Sequence, residues 1–366
     1  MSKILIIASD TGESAPGKVF SSYIDILRTT YEVDVISLSE ISEFDNKKTI
    51  HPRIKKAIIS LIGVDFFDYR NAKNFIDKNE FSKYKIIFTM MSANNYGALY
   101  IGYLIKKRNF KIKWINYCVD AIPAPEGWKL SSRYRAGLVK MIKKFLTLSD
   151  KIICSNEDML NYQLSLIGDD FSGETDILYT LPSIEPLFLQ NSNNHVFKLL
   201  YTGGLYQERK VDHLLLAIDK LIEEGVLIEI DFIGTNHVNI PTDRLSKKTR
   251  SFINIYEYTN NLHGFYAKSD LLIDIDADIK NDVFISSKFF NYIMLNRRIL
   301  CITNEGSPSR KLVKEKNIEE VFFSSHNTET IYIELKKIIN LNNDYSHISR
   351  STEFLIVKNN LFEFNK

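Results

Sequence analysis

Short apolar runs that end in polar loops alternate with helical patterns along most of this chain. In the first half, such runs lie at residues 3–8, 33–38, 85–90, 113–118 and 151–155. A near-continuous apolar run is typical of a parallel strand that is buried on both faces. The segments between the runs have helical periodicity, as at 17–29 and 96–107. The alternation predicts repeated βα units and therefore an α/β fold with parallel sheets.

One segment interrupts the alternation and predicts a domain boundary. Residues 181–197 contain two prolines and a cluster of Asn and Ser, a composition typical of linkers. The strand-like runs then resume at 198–202, 228–233, 252–256, 271–275 and 299–303. With 366 residues, of which 45% are hydrophobic, the chain can build two cores. We predict an N-terminal domain over 1–185, a C-terminal domain over 186–344, and a tail over 345–366 that packs back on the first domain.

The composition indicates a cytoplasmic protein. The first apolar run is too short for a signal peptide and leads into polar residues. No apolar stretch approaches the roughly 20 residues that a membrane span needs. Cys118, Cys154 and Cys301 lie in strand-like contexts without metal-ligand spacing, which is typical of buried thiols in a reducing compartment.

Charge is unevenly divided. Residues 47–151 contain 22 Lys and Arg against 7 Asp and Glu, whereas the rest of the chain contains 25 against 38. A basic segment between acidic flanks indicates an anionic surface or substrate on one side, although a solvated lysine-rich surface explains the counts equally well. Residues 133–148 form a basic amphipathic helix. We expect its apolar stripe to cover the sheet and its basic face to be free for anionic lipid headgroups.

Two strand–turn–helix segments in the second half predict a phosphate-binding pocket. The first spans residues 201–210 and contains two glycines and an Arg-Lys pair. In the second, Ser287 and Lys288 begin a helix, so free backbone N–H groups and an ammonium point the same way. The strand that follows ends at residues 304–307, where an open parallel sheet presents its binding crevice. Two such segments in one half suggest a site for a nucleotide diphosphate.

These segments resemble motifs of the GT-B glycosyltransferases, especially family 4. The stretch SSKFFNYIMLNRRILCITNEGSPSRKLV resembles the family's SKLFEYLAAGRPILAL…GS…LV, and LLYTGGLYQERKVDHLLLAI resembles YVGRL…KGVDLLLEAI. The stretch SDKIICSNEDM is similar to the ADAIVAVSE strand near the end of the family's N-terminal domain, and WINYCVDAIP to its acceptor-side strand. The resemblance is strongest over 198–313. It implies two Rossmann-like βαβ domains whose parallel sheets face each other across a deep cleft.

The resemblance also implies an activity: transfer of a sugar, here of hexosyl type, from a nucleotide diphosphate to an acceptor hydroxyl, without a bound metal or other cofactor. Positive side chains can stabilise the departing diphosphate, and Arg209 and Lys288 are the candidates for this catalytic role. The donor-binding residues that the resemblance implies are Gly203, Gly204, Arg209, Lys210, Gly234, Ser287, Lys288, Asn291, Glu305, Gly306 and Ser307.

Two of these positions depart from the family pattern. Gly204 stands where the family commonly has Arg, and Asn291 stands where a second acidic residue binds the donor ribose. The first acidic position of that pattern falls at Val283. The departures leave open whether the reaction retains or inverts the anomeric configuration. They also support an alternative, a catalytically inactive GT-B-like subunit that binds nucleotide sugar or acts as a scaffold. A GT-B-fold epimerase is a third possibility.

The acceptor side is expected in the N-terminal domain. Asp120 ends a buried strand and precedes a loop with two prolines, so it lies at the crevice by topology. It could serve as the general base that deprotonates the acceptor hydroxyl, or form only an Asx turn. Asp10, Gly12 and Lys18 follow the first strand and should line the same side. The glycines do not form the G-x-G-x-x-G pattern, which argues against a nicotinamide dehydrogenase.

No required metal is predicted. The run Asp274, Asp276 and Asp278 resembles the Asp-x-Asp metal motif of another glycosyltransferase fold, but it continues a strand, and its alternation suggests one face of a strand end. The histidines are dispersed, without metal-ligand spacing. We therefore predict a cytoplasmic glycosyltransferase of surface polysaccharide or glycolipid synthesis, attached peripherally to the inner face of the cell membrane. Its partners would be a nucleotide-sugar donor, a glycan or polyprenyl-linked acceptor and anionic lipid, with no nucleic acid.

Overall fold

The chain folds into two compact units. The computed structural model describes residues 3–12, 14–41, 44, 51–189, 196–205, 208–341, 344–357 and 361–364. The first unit comprises Met1–Ser183 together with Leu355–Lys366, and the second comprises Ile184–Phe354. Each unit contains a six-stranded sheet whose neighbouring strands pair in parallel. The predicted α/β class with parallel sheets is confirmed.

The first unit is built on a sheet of the order β2-β1-β3-β4-β5-β6. Its strands are β1 (Ile4–Ala8), β2 (Val33–Ser37), β3 (Ile86–Met91), β4 (Lys113–Cys118), β5 (Lys151–Cys154) and β6 (Glu174–Ile177). The strand order reverses between β1 and β3. In open α/β sheets such a switch point opens a crevice beyond the carboxyl ends of the strands.

Six helices connect these strands. They are α1 (Ala15–Thr30), α2 (Pro52–Ile62), α3 (Phe66–Lys78), α4 (Gly97–Arg108), α5 (Ser132–Leu146) and α6 (Glu157–Ile167). In α1, Ser14 caps the first turn by accepting from the Gly17 N–H, and a proline occupies the first turn. Its stripe of Phe20, Tyr23 and Leu27 is buried against the sheet. The Tyr117 ring of β4 packs against Tyr23, with 5.5 Å between ring centroids.

The second unit repeats this plan with the order β12-β11-β10-β7-β8-β9. Its strands are β7 (Phe197–Thr202), β8 (Ile228–Ile233), β9 (Ile253–Tyr256), β10 (Leu271–Ile275), β11 (Arg298–Ile302) and β12 (Val321–Ser324). Its helices are α7 (Asp212–Glu223), α8 (Lys247–Arg250), α9 (His263–Lys268), α10 (Ser287–Tyr292), α11 (Pro308–Lys316) and α12 (Thr328–Ile339). The order reverses between β7 and β10. The strands β7, β10 and β11 are buried almost throughout, which explains their continuous apolar sequences.

The end of the chain returns to the first unit. Leu361 and Phe362 are buried in its core, and the Phe362 ring packs edge-on against Phe88, with 5.6 Å between ring centroids. Lys151 Nζ donates to the carbonyl oxygens of Leu361 and Glu363, at 3.3 and 2.8 Å. The returning segment begins at Leu355.

Residues 345–354 belong to the second unit, which differs from the predicted tail boundary at 345. The Arg350 guanidinium explains the difference, because it donates to the carbonyl oxygens of Arg297 and Glu319, at 2.7 and 2.8 Å. Among the described residues, no helix is long and apolar enough to cross a membrane.

Candidate active site

Two glycine turns meet at the carboxyl edge of the second sheet. Gly203 follows β7 and Gly234 follows β8, with φ angles of +90° and +76°. A Cβ added to Gly234 would lie 3.7 Å from the Gly203 Cα. The Gly203 N–H donates to the Ile233 carbonyl at 2.7 Å, and Thr235 Oγ1 donates to the Gly203 carbonyl at 2.6 Å. Both positions need glycine because their φ angles lie in the left-handed region, and both bring bare backbone to this edge.

Lys288 reaches the same edge from α10. A Cβ added to Gly203 would lie 3.4 Å from the Lys288 Cδ and 3.9 Å from its Nζ. The ammonium also lies over the Tyr201 ring, 5.1 Å from its centroid. Burial lowers the pKa of Lys288 to about 8, and the nearby Arg209 lowers it further, while Asp274 and Asp276 act in the opposite direction. The structure therefore brings Lys288 and the first glycine turn together.

Arg209 is held beside the end of β10. The Asp278 N–H donates to the Glu208 carbonyl at 3.1 Å, which ties the 201–210 segment to the residues that follow β10. Burial acts to lower the pKa of Arg209, but the charges of Asp276, and then of Tyr201 and Asp274, raise it above its usual value. Arg209 is thus a permanently charged cation in the same cluster as Lys288.

Two buried carboxyl groups complete the cluster. Asp274 lies in β10 and Asp276 directly follows it, and both are buried. Asp276 accepts from Ser309 Oγ at 3.2 Å. Neither carboxylate oxygen of Asp274 has a hydrogen-bond partner in the described part of the chain. Burial raises the pKa of Asp276 to about 7, and Asp274 adds to the rise, while Arg209 opposes it.

The four charged groups together form a nearly balanced set of two cations and two acids. Such a set can exchange an internal partner for the charge of an entering anion. Over the described ranges, no three His, Cys, Asp or Glu side chains come close enough to hold a metal ion. The Asp-x-Asp run, which the sequence interprets as a strand end only, supplies two members of this cluster, whereas Asp278 is exposed. Its acidic alternation directly after a buried strand was the available signal.

The other predicted donor residues lie at varied positions. Ser286 caps α10 by accepting from the Lys288 N–H at 3.2 Å, so Ser287 is the first helical residue and is exposed. The helix has only six residues, and its dipole is correspondingly small. Asn291 lies in its second turn and is half-buried, whereas Lys210 is exposed. The Gly204 carbonyl accepts from the Tyr201 hydroxyl at 3.0 Å.

The loop before α11 divides into an exposed and a buried part. Glu305 and Gly306 are exposed, and a Cβ added to Gly306 would meet no atom within 4 Å. Ser307 is buried and caps α11 by accepting from the Arg310 N–H at 3.4 Å. Its hydroxyl lies 3.1 Å from that of Ser309, which in turn donates to Asp276. Ser307 is therefore linked to the charged cluster, whereas the Glu305 side chain is not part of it in this structure.

In the first unit, Asp120 follows β4 at the carboxyl edge of the sheet. Its Oδ2 accepts from the Ala93 N–H at 2.9 Å. Burial raises the pKa of Asp120, while this hydrogen bond acts in the opposite direction. The loop after Asp120 is held by the buried Gln163, whose side chain accepts from the Ile122 N–H at 3.1 Å and donates to the Ile122 carbonyl at 3.0 Å. The carboxyl group is thus fixed in position and has a raised proton affinity, as a general base requires.

Asp10 serves its own loop. Its carboxylate accepts from the Gly12 N–H at 2.8 Å and from the Ser14 hydroxyl. Burial acts to raise the pKa of Asp10, but these hydrogen bonds, with Ser14 first, lower it below its usual range. Gly12 is exposed, and Lys18 is half-buried in the first turn of α1. Asp10 therefore organises the turn between β1 and α1.

The fold was compared with known proteins. No protein-family model and no curated protein matches the sequence. Among solved structures, the chain is similar to Anabaena HepE in complex with UDP and glucose, with a TM-score of 0.56 and 11% identity over 93% of this chain and 90% of HepE.

Two further structures show the same similarity. The lipopolysaccharide outer core galactosyltransferase WaaB gives a TM-score of 0.62 at 9% identity, over 96% of this chain and 93% of WaaB. A glycosyltransferase from Rickettsia africae ESF-5 gives 0.58 at 13% identity, over 92% and 88% of the two chains. At such identities the similarity concerns the fold, and it extends over both units. The chain has the GT-B fold of glycosyltransferases.

Proposed function

We propose that this protein is a glycosyltransferase that moves a sugar from a nucleotide diphosphate to a hydroxyl group of a glycan or lipid-linked acceptor. The pathway would be the synthesis of cell-surface polysaccharide or glycolipid. The observation that carries the proposal is the meeting of Lys288, Arg209 and two left-handed glycine turns at one sheet edge of a GT-B fold. Bare backbone and two cations at such an edge suit a diphosphate.

The chemistry follows from charge. When the glycosidic bond to the donor breaks, negative charge develops on the leaving diphosphate, and fixed cations stabilise it without reorganisation. Arg209 remains charged at any pH of interest, and the low pKa of Lys288 rises again when a phosphate oxygen comes within hydrogen-bond reach. A reaction that uses these two cations needs no divalent ion, and metal independence is part of the proposal.

The nucleotide itself is proposed from similarity. HepE was solved with UDP and glucose and also with UDP-glucose. A uridine diphosphate sugar is therefore the first donor to test. Gly203, Gly234 and Ser307 would then contact the nucleotide or its phosphates, and Asn291 would offer an amide to the ribose where relatives of family 4 carry an acid.

Asp120 is proposed to act on the acceptor. Its raised pKa and fixed position suit a general base that takes the proton of the acceptor hydroxyl in an inverting reaction. In a retaining reaction it would orient the acceptor only. We further propose that the protein works in the cytoplasm, at the inner face of the cell membrane, where a lipid-linked acceptor would be available.

A thermal-shift panel of nucleoside diphosphates and UDP-sugars tests the donor assignment. The correct ligand should raise the melting temperature in proportion to the logarithm of its concentration above the dissociation constant. The rise should disappear in Arg209→Ala and Lys288→Ala and persist in Lys280→Ala, a matched change of an exposed lysine. Absence of any nucleotide effect in the wild type would refute the proposal.

One alternative is favoured by specific residues. Gly204 and Asn291 replace residues that the family uses for the donor, which fits an inactive subunit that still binds nucleotide sugar. Hydrolysis or transfer of the bound donor by the wild type, lost in the Arg209→Ala Lys288→Ala double variant, would exclude it. Binding without turnover, with every acceptor tried, would favour it.

A further inference from the structure

Helix α2 presents an apolar stripe to solvent. Ile54 and Ile62 are 53% and 58% exposed, and Leu61 is 78% exposed. With Ile58 they occupy positions i, i+4, i+7 and i+8, which lie on one face of a helix. Phe66, 48% exposed, extends the apolar surface into the first turn of α3. Soluble proteins seldom expose such contiguous large apolar side chains unless the surface binds a partner.

The opposite face of α2 is fixed to the rest of the unit. Ile59 is buried, and Lys55 Nζ pairs with the buried carboxylates of Asp65 and Asp68, at 2.8 and 3.1 Å. A Cβ added to Gly137 of α5 would lie 2.1 Å from the Ile59 carbonyl oxygen, so the two helix backbones touch there. The apolar stripe therefore faces outward because the other side of the helix is already packed.

Basic residues surround the stripe. Arg53 and Lys56 lie on α2 and are exposed, and Lys56 Nζ is 5.7 Å from the Tyr134 ring of α5. Lys140 of α5 lies beside the end of α2, since a Cβ added to Gly63 would be 2.8 Å from the Lys140 Cβ. The sequences of α2 and α5 contain no Asp or Glu. An apolar centre with a purely basic rim is complementary to a surface that is apolar inside and anionic outside.

We propose that the α2 stripe and its basic rim dock into the headgroup region of an anionic lipid bilayer, with Leu61 and Ile62 inserted below the phosphates. Amphipathic helices with apolar and basic faces bind membranes in this way. The proposal deepens the proposed function, because a lipid-linked acceptor would be presented at the same surface. A second copy of this chain suits the surface less well, since two-fold pairing would bring the basic rims together.

The structure also changes the expected division of labour between helices. The sequence predicts that the basic face of 133–148 contacts lipid. In α5 the apolar residues Leu138, Met141, Ile142 and Phe145 are buried in the unit. This helix can therefore contribute charge to a membrane but no inserted side chain, and insertion belongs to α2.

Flotation of the full chain with lipid vesicles tests the proposal. Vesicles of phosphatidylcholine alone are compared with vesicles that also contain phosphatidylglycerol, at low and high salt. The Leu61→Asp Ile62→Asp variant should lose vesicle binding at both salt concentrations, with an apparent partition coefficient at least about tenfold lower than the wild type. Val238→Asp is the matched control, because Val238 is 95% exposed in the second unit and lies away from this surface in the sequence. It should float like the wild type.

Each outcome decides between occupants. Salt-resistant binding that the double aspartate variant abolishes supports insertion of α2. Binding that salt removes entirely and the variant retains assigns the contact to charge alone and overturns the proposal, as does failure of the wild type to bind any vesicle. A dimer in solution that the variant dissociates assigns the surface to a second copy instead. An unchanged melting temperature shows that the variant is folded, and its response to UDP tests the donor site separately, so failure of one proposal is distinguishable from failure of the other.

Discussion

Lys288 should be costly to the stability of the empty protein and essential to nucleotide binding. Its pKa falls from 10.5 to about 8, first because of burial and then because of Arg209. A lysine with a lowered pKa is held in its charged form at the expense of folding free energy. We therefore predict that Lys288→Met, which keeps the apolar stem and removes the charge, stabilises the empty protein and abolishes its response to UDP.

The magnitude follows from the pKa. A fall of roughly 2.5 in pKa corresponds to about 3 kcal/mol, at about 1.36 kcal/mol for each pH unit. Lys288 is only half-buried, so water screens part of this penalty, and the expected gain in the free energy of unfolding is about 1–2 kcal/mol. For a unit of this size that corresponds to a rise in melting temperature of a few degrees.

The pH dependence gives the prediction its sign. Below pH 8 the lysine is protonated in both the folded and the unfolded state, so the wild type carries the full penalty. Between pH 8 and 10.5 the folded state has released its proton while the unfolded state retains it, and stability of the wild type rises with pH. The advantage of Lys288→Met should thus be complete at pH 7 and disappear near pH 10.5.

Urea denaturation at pH 7 and pH 10, with and without UDP, measures both effects. Lys280→Met, a change at an exposed lysine, is the matched control and should alter neither quantity. The reasoning would be refuted if Lys288→Met lowered the free energy of unfolding at pH 7, or if the variant kept the UDP-induced stabilisation.

Three further predictions follow from the site. Gly203→Ala should weaken UDP binding and cost about 1–2 kcal/mol of stability, since its φ of +90° is strained for other residues; unchanged binding by calorimetry would contradict this. Asp276→Asn should tighten UDP binding several-fold at pH 8 but not at pH 6, because a carboxyl group with a pKa of about 7 repels the diphosphate only when ionised; calorimetry should not find equal effects at both pH values. Asp120→Asn should reduce sugar transfer about 10²-fold or more with UDP binding unchanged, and loss of both in the same assays would assign the residue to folding instead.

Much of the second unit could be predicted because its signals are local. Continuous apolar runs mark buried parallel strands, and glycines followed by basic residues mark the turns between strand and helix. The predicted segments 198–202 and 271–275 coincide with strand positions in the sheet. The contact between Lys288 and Gly203 involves residues 85 positions apart, and the sequence predicts it only through the parallel order of the strands.

Other features depend on distant contacts that no local pattern encodes. The region between the second and third strands has weak periodicity, yet it forms α2 and α3, which the Lys55 ion pairs hold together. The alternation of Asp274 and Asp276 is typical of a strand with one exposed face, but both are buried, because Arg209 from another segment supplies their counter-charge. The end of the second unit at Phe354 likewise depends on Arg350, whose partners lie more than thirty positions earlier.

The return of the last dozen residues to the first unit has a consequence for biosynthesis. Leu361 and Phe362 fill part of a core whose other members are encoded almost two hundred positions earlier. During translation the first unit therefore emerges with an apolar gap, and it can be sealed only after the ribosome has released the end of the chain. A prematurely terminated product would carry an intact nucleotide-side unit and an incomplete partner, which makes the C-terminus a natural checkpoint for quality control.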